Sequence, residues 1–206
     1  MGETRRWISN SMMRNALQVL EELLAHNGLT AALRLSGLER YIDDLPPDDD
    51  LMDIPRGDLN ALFAAIVSMY GDQGARGVLR RWGRAFAVRR LKRRIALRLL
   101  RLGLRLIPAE RSAPYVLARL LHHLDLASED RPPTIEDSGA SFLLELADCL
   151  YCPGQKPSQP YGNAVVGLIE GLLRWSTGHD FEVTDQSSAG QGAVVLEIRK
   201  QPMGRR

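Results

Sequence analysis

Apolar residues recur at helical spacing through the first third of the chain. Met13, Ala16, Leu17, Leu20, Leu23 and Leu24 fall on one face, which predicts a helix over 10–26. Asn10 or Ser11 is suited to cap its start, and Asn27-Gly28 to stop it. A shorter helix over 29–35 follows and ends at Gly37. In "IDDLPPDDDLMDIPRGD" the prolines Pro46, Pro47 and Pro55 deny helix, so the segment reads as an irregular acidic loop. Asp58 is placed to cap a helix running to Tyr70 and ended by Gly71. From 77 to 107 the pattern is helical again, with bends expected at Gly83 and Gly103. One more helix is predicted over 113–127.

Beyond that point the period changes. "SEDRPPTIEDSG" reads as a hinge-like loop. The stretch 141–150 fits strand or helix by pattern alone. Residues 164–176 form an apolar helix stopped by Thr177-Gly178. "FEVT" at 181–184 and "VVLEI" at 194–198 are β-rich, and the glycine-containing "QSSAGQG" between them suits a hairpin. The chain is therefore expected to be α+β, with its N-terminal two-thirds mainly helical. No internal repeat is found, and 1–206 is taken as a single domain.

The arginine-rich helical segment carries two apolar stripes rather than one. Ile95, Leu99, Leu102 and Leu106 form the first, and Leu97, Leu100 and Leu104 the second, nearly opposite. Arg90, Arg94, Arg98, Arg101 and Arg105 run between them along one edge. A helix with two apolar faces has two things to bury against. One is the core; the other is a partner, a ligand cavity or a membrane surface. Arginines snorkelling over a helix buried within one domain is the plain alternative. Arg94, Arg98 and Arg101 mark the candidate interaction surface, suited to an anionic membrane surface or an acidic protein. Nucleic acid is not expected, because Trp82 and Phe86 are the only aromatics available for stacking there.

Composition sharpens this. The net charge of +2 is small, but 43–58 holds seven acids and one arginine while 76–105 holds twelve basic residues and no acid. At 206 residues a chain buries about 70% of its unfolded surface and folds without a disulfide or metal. No run of about 18 apolar residues occurs, so no spanning helix is expected. The opening "MGETRRWISNSMMRNALQ" shows no signal-peptide pattern. Together with two cysteines, this leads us to expect a cytoplasmic protein with free thiols.

Chemistry-bearing motifs are few. Cys149 and Cys152 form one Cys-x-x-Cys pair, whereas a structural zinc site wants four ligands. A redox pair normally opens a helix, and here Pro153-Gly154 follows. Structural thiols, half of a metal site and a redox pair all remain open on spacing alone. His122 and His123 are neighbours on a predicted helix and point about 100° apart, so they do not readily share a metal. No nucleophile elbow, phosphate loop, dinucleotide fingerprint or metalloprotease helix occurs. The absence of such signatures argues against an autonomous enzyme.

Three blocks in order carry a resemblance. "ALQVLEELLAHNGLTAALRLSGLERYIDDLPPDDD" resembles the N-terminal helices of bacterial 4-vinyl reductase-type, or hydrocarbon-binding, domains. "MYGDQGARGVLRRWGRAFA" resembles their next block through Gly74, Arg76, Gly77, Arg81, Gly83, Arg84, Ala85 and Phe86. "DCLYCPGQKPSQPYGNAVVGLIEGLLRWSTGHDFEV" resembles the third, with the cysteine pair and a helix ending in Trp175 and Gly178. The resemblance implies an antiparallel sheet backed by helices, similar to haem-NO-binding domains and TRAPP subunits. It divides the chain into an N-terminal helical extension with its acidic loop (1–57) and a ligand-binding core (58–206). It also implies a homodimer and an apolar ligand held between helices and sheet. Where members of that family often carry further cysteines, this chain has Gly162, the 186–188 segment and Val194. Cys149 and Cys152 thus resemble the remnant of a cysteine cluster, and no zinc is expected. Nothing in the chain resembles the proximal histidine and Tyr-x-Ser-x-Arg motif of the haem relatives, so no cofactor is expected.

The functional expectation is a module holding a hydrophobic small molecule (hydrocarbon, lipid or tetrapyrrole) in an enclosed apolar pocket, as sensor or carrier. Trp82, Phe86, Trp175 and Phe181 are the expected lining, with core packing as the alternative for each. Arg81 and Arg84 are placed to hold a carboxylate at the mouth, or to pair with the acidic loop. One alternative is an accessory protein or enzyme of bacteriochlorophyll vinyl reduction. Another is a ligand-free interaction subunit that uses the basic helix.

Overall fold

The first helix begins at an N-cap that precedes both predicted candidates, Asn10 and Ser11. Ser9 is extended (φ −72°, ψ 150°) and its Oγ accepts from the Met12 N–H. The computed structural model describes residues 7–124, 126, 132–147, 149–151, 160–187 and 193–203. Helix α1 spans Asn10–Leu35 and breaks at Ala25 (φ 57°, ψ 171°) instead of at Asn27-Gly28. That conformation is strained for a residue with a Cβ. A Cβ on Gly28 would stand 2.9 Å from Leu24 Cβ, so the break sits where the chain folds tightly back past Leu24.

The acidic loop is not irregular throughout. β1 (Trp7–Ile8) pairs antiparallel with β2 (Ile54–Pro55). Between these strands the loop covers the start of α1. Asn10 and Ser11 N–H donate to Leu51 O and Asp49 O at 2.9 and 2.8 Å. Their side chains donate to Asp49 and Asp50 carboxylates at 2.9 Å. Carboxylates gathered at a helix N-terminus complement its partial positive charge, which explains where the run of aspartates goes.

Helix α2 spans Arg56–Lys92 with one break at Gly71 (φ 65°). It starts two residues before Asp58. That residue does not cap it; its carboxylate accepts from Tyr41 Oη at 2.7 Å and pairs with Arg40. The predicted bend at Gly83 does not occur. The break falls instead between α2 and α3 (Ile95–Leu104), and α4 follows over Ala109–Leu120 with a 3-10 turn at Leu121–Leu124.

Four antiparallel strands form the sheet: β3 (Thr134–Asp137), β4 (Ser141–Leu146), β5 (Val183–Asp185) and β6 (Val194–Arg199), in the order β3-β4-β6-β5. The ambiguity over 141–150 resolves as strand for Ser141–Leu146. β3 corrects the hinge-like loop expected there. Phe142, Leu144 and Leu146 oppose Ile198, Leu196 and Val194, and all but the partly buried Val194 are buried. Helix α5 (Gly162–Thr177) crosses α2 and ends at Gly178 in the left-handed region (φ 83°), a common glycine stop. β5 packs on α5 and β3 on α4. The architecture is α+β, helices backing an antiparallel sheet.

Candidate functional site

The site is organised by the crossing of α2 and α5. A Cβ on Gly83 would lie 2.2 Å from Ala164 O, one on Gly167 2.1 Å from Arg80 O, and one on Gly171 2.6 Å from Arg84 O. The two backbones therefore touch, and only glycine admits that contact. Just past the closest approach, Glu170 of α5 meets Arg80 and Arg84 of α2. Arg80 Nε donates to Glu170 Oε2 at 3.0 Å and Arg84 Nε to the same oxygen at 2.6 Å. Arg80 Nη2 also donates to Oε1. Glu170 is buried at 6% exposure while the arginines are 38% and 47% exposed. This bonding raises the Arg80 guanidinium further above its ordinary range, against the opposing effect of burial.

Alongside this clamp runs a half-open groove of about 1140 Å³ bounded by α1, α2, the end of α5 and the C-terminal segment. Its apolar lining comes from Leu23, Ala85, Val88, Phe181 and Met203. Its basic lining comes from Arg81, Arg84, Arg89, Lys92 and Arg174, set against Glu22, Glu170 and Asp180. Each acid is paired: Glu22 with Arg89 at 2.6 Å, Glu170 as above, and Asp180 with Arg174 at 3.5 Å. Arg81 and Lys92 have no acidic partner among the described residues. The groove thus offers an apolar wall and two uncommitted cations.

The predicted site residues divide into three places. Arg81, Arg84 and Phe181 meet at this groove; Arg84 pairs with Glu170, not with the acidic loop. Trp82 and Phe86 point the other way, into a closed aromatic cluster with Phe63 and Tyr151, and neither is exposed. Trp82 lies 4.9 Å from Phe63 edge-on and 4.8 Å from Phe86 stacked. Its Nε1–H donates to Ala16 O at 3.2 Å, tying α1 to α2. Tyr151 Oη donates to Leu124 O at 2.7 Å from the same cluster. Trp175 sits apart, under the Arg101 guanidinium, which is 5.3 Å from the ring centre. Glu170 was missed by sequence reasoning. Its signal was there: a lone acid inside the apolar run "NAVVGLIEGLLRW" needs a cationic partner if the helix is buried.

The interaction-surface residues also separate. Arg94 and Arg98 are exposed, whereas Arg101 is half-buried against Trp175. Burial, with Arg105 nearby, lowers the Arg101 pKa. The free-thiol expectation is corrected: Cys149 is disulfide-bonded. The chain has one other cysteine, Cys152, which lies outside the described residues. The loss of the free thiols also removes one reason for expecting a cytoplasmic location. Arg56, at the start of α2, fixes this segment by donating to the Cys149 and Leu150 carbonyls at 2.7 and 3.1 Å. Among the described residues, no three His, Cys, Asp or Glu side chains are grouped to hold a metal.

No family model and no curated protein matches this chain. Solved structures do. A point mutant of the H-NOX protein abbreviated Tt is 16% identical with a TM-score of 0.58, covering 96% of this chain and 98% of its own. An H-NOX protein from S. oneidensis in the Fe(II)NO ligation state is 12% identical with a TM-score of 0.53, covering 93% and 99%. A T. tengcongensis H-NOX mutant is 16% identical with a TM-score of 0.51, covering 92% and 96%. The chain is similar in fold to H-NOX domains. The match to haem-NO-binding domains implied by the sequence resemblance therefore holds at the level of fold.

Some H-NOX neighbours are described in terms of heme distortion, so the fit of haem to these residues matters. Haem iron is usually held by His, Cys, Met or Tyr. The described groove lining includes Met203 but no His, Cys or Tyr. His26 is exposed beside Glu21, and His122 is exposed in the turn after α4. Between α2 and α5 the backbones are in contact at three glycines, which leaves no room there for a macrocycle. The residues around the groove and the crossing do not fit haem.

Proposed function

We propose that this protein is a binding module for a hydrophobic small molecule bearing an anionic group, acting as sensor or carrier. The observation that carries this reading is the groove, where an apolar wall adjoins Arg81 and Lys92, both free of acidic partners among the described residues. An apolar body would be held by area removed from water, at roughly 25 cal/mol per Å². The acid group would be oriented by charge-assisted hydrogen bonds. At about 1140 Å³ the groove is large enough for a drug-sized or larger ligand, since such sites run roughly 300–1,000 Å³. The resemblance to hydrocarbon-binding domains of the 4-vinyl reductase type supports the same reading, and a fatty acid and a tetrapyrrole carboxylate share the chemistry required. The Glu170 clamp holds Arg84 at the wall, while Arg81 stays available.

The test is organic extraction of the purified full chain followed by mass spectrometry, then titration with a fluorescent fatty acid and its alcohol analogue. The expected result is tighter binding of the acid. The double variant Arg81→Glu, Lys92→Glu is expected to weaken the acid by about tenfold or more while sparing the alcohol. Equal binding of acid and alcohol, unchanged in the variant, would overturn the assignment of this groove. The extracted mass separates the lipid from the tetrapyrrole.

A further inference from the structure

Helix α3 is the second place where the chain presents unsatisfied chemistry. Ile95, Leu99, Leu102 and Leu106 are 73%, 68%, 65% and 87% exposed. Ile107 extends the patch past the helix at 47%. Single exposed aliphatics are ordinary, but a contiguous stripe of them marks an interaction surface. The opposite face is engaged: Leu97 and Leu104 are buried and Leu100 is packed against the core. Arg101 lies over Trp175, and Arg105 approaches within 3.5 Å of the position a Gly178 Cβ would take. These contacts fix α3 on the end of α5, so the stripe is held facing outward.

Charge selects among occupants. Arg94, Arg98, Arg101 and Arg105 share one edge of the stripe, and no acid occurs between Asp72 and Glu110. A second copy packed antiparallel across a two-fold axis would bring both arginine rows to the same side, where they repel. The stripe continues past the helix end to Leu106 and Ile107, and α3 itself has ten residues, about 15 Å. No described helix is long and apolar enough to cross a membrane. An aliphatic stripe lying flat, with a cationic edge, has the form of an interfacial helix.

We propose that α3 docks on an anionic lipid bilayer, seating Ile95, Leu99, Leu102 and Leu106 at the acyl boundary with Arg94, Arg98 and Arg105 at headgroup level. Docking places the end of α5, and with it the Arg174–Phe181 side of the groove, next to the bilayer. The docking itself does not depend on the groove holding a ligand.

The test is co-sedimentation of the full chain with phosphatidylcholine vesicles, with and without phosphatidylglycerol. The protein is expected to sediment with the anionic vesicles and to be released by salt. Neutralising Arg94 and Arg98 to Gln is expected to weaken binding about fivefold per charge. The variant Leu99→Ser, Leu102→Ser, Leu106→Ser is expected to abolish sedimentation and to keep the fatty-acid affinity of the wild-type chain. That retained affinity separates failure of docking from failure of the groove. No sedimentation of the wild type with either vesicle overturns the proposal. So does a wild-type dimer that the triple-serine variant converts to monomer, which would assign the stripe to a second copy. A triple variant that still binds anionic vesicles overturns it as well.

Discussion

Helices α5 and α3 are both rich in apolar residues, yet one is almost wholly buried and the other is half uncovered. In α5 even the one acid, Glu170, is buried, and 14 of the 16 residues over Gly162–Thr177 count as buried. In α3 two of ten do. The difference lies in the small residues. Gly167 and Gly171 let α5 lie backbone to backbone on α2, with Gly83 answering from the other side. Gly103 of α3 would meet nothing within 4 Å if it gained a Cβ. Hydrophobicity alone made both helices candidates for the core. Close approach at glycine decided which one entered it.

The sharpest break in that comparison is Gly167→Ala. Its new Cβ would sit 2.1 Å from Arg80 O, a backbone atom that cannot swing away. Forced separation of two packed elements is expected to cost about 3 kcal/mol, read as a lowered midpoint in chemical denaturation. The contrast is Gly77→Ala, also helical but facing open space, expected to add about 1 kcal/mol. If both substitutions move stability the same way, the crossing is not set by glycine contact.

Next in size is Leu97→Ala, on the buried face of α3. Leucine truncations in cores cost about 2–5 kcal/mol, and a peripheral helix belongs at the low end. Hydrogen exchange should report the loss in α3 and spare α5. Glu170→Gln is expected to cost about 2 kcal/mol, the scale of a hydrogen bond to a charged group. The loss stays below that of a fully buried pair because Arg80 and Arg84 reach solvent. The same variant should alter anionic-ligand binding at the groove, because Arg84 is released.

A pH prediction bears on α5 alone. Tyr161, its N-cap residue, has its pKa raised by burial first and by Asp72 second. A raised folded-state value means the folded chain holds its proton where the unfolded chain has lost it. The stabilisation is therefore complete below the unfolded value of about 10 and declines as pH rises above it. Tyr161→Phe should flatten that alkaline decline, measured by denaturation midpoints across the range.

Much of this was legible in sequence because it is local. The two stripes of α3 follow from helical spacing, and the Gly178 stop from residue type. What was not legible depends on partners distant in sequence. Thr134–Asp137 follows a proline pair and carries two acids, so nothing local marks it as strand; it becomes β3 by pairing with β4. Gly83 reads as a helix breaker until Ala164 is seen against it. Trp82 and Phe86 share a helix with Arg81 and Arg84, but their directions differ, and only packing against Phe63 and Tyr151 shows which go inward.

The smallest expected effect is the most telling for α3. Leu102 is 65% exposed, so Leu102→Ser removes little buried area and is expected to change stability in solution by no more than about 0.5 kcal/mol. In α5, Leu172 is fully buried, and the equivalent Leu172→Ser should destabilise by several kcal/mol through lost packing and a buried hydroxyl. Equal effects at the two leucines would mean that the stripe is covered in solution, and the outward face of α3 would then belong to an interface between copies. A silent Leu102 beside a damaging Leu172 leaves the stripe free, held in place by its other face.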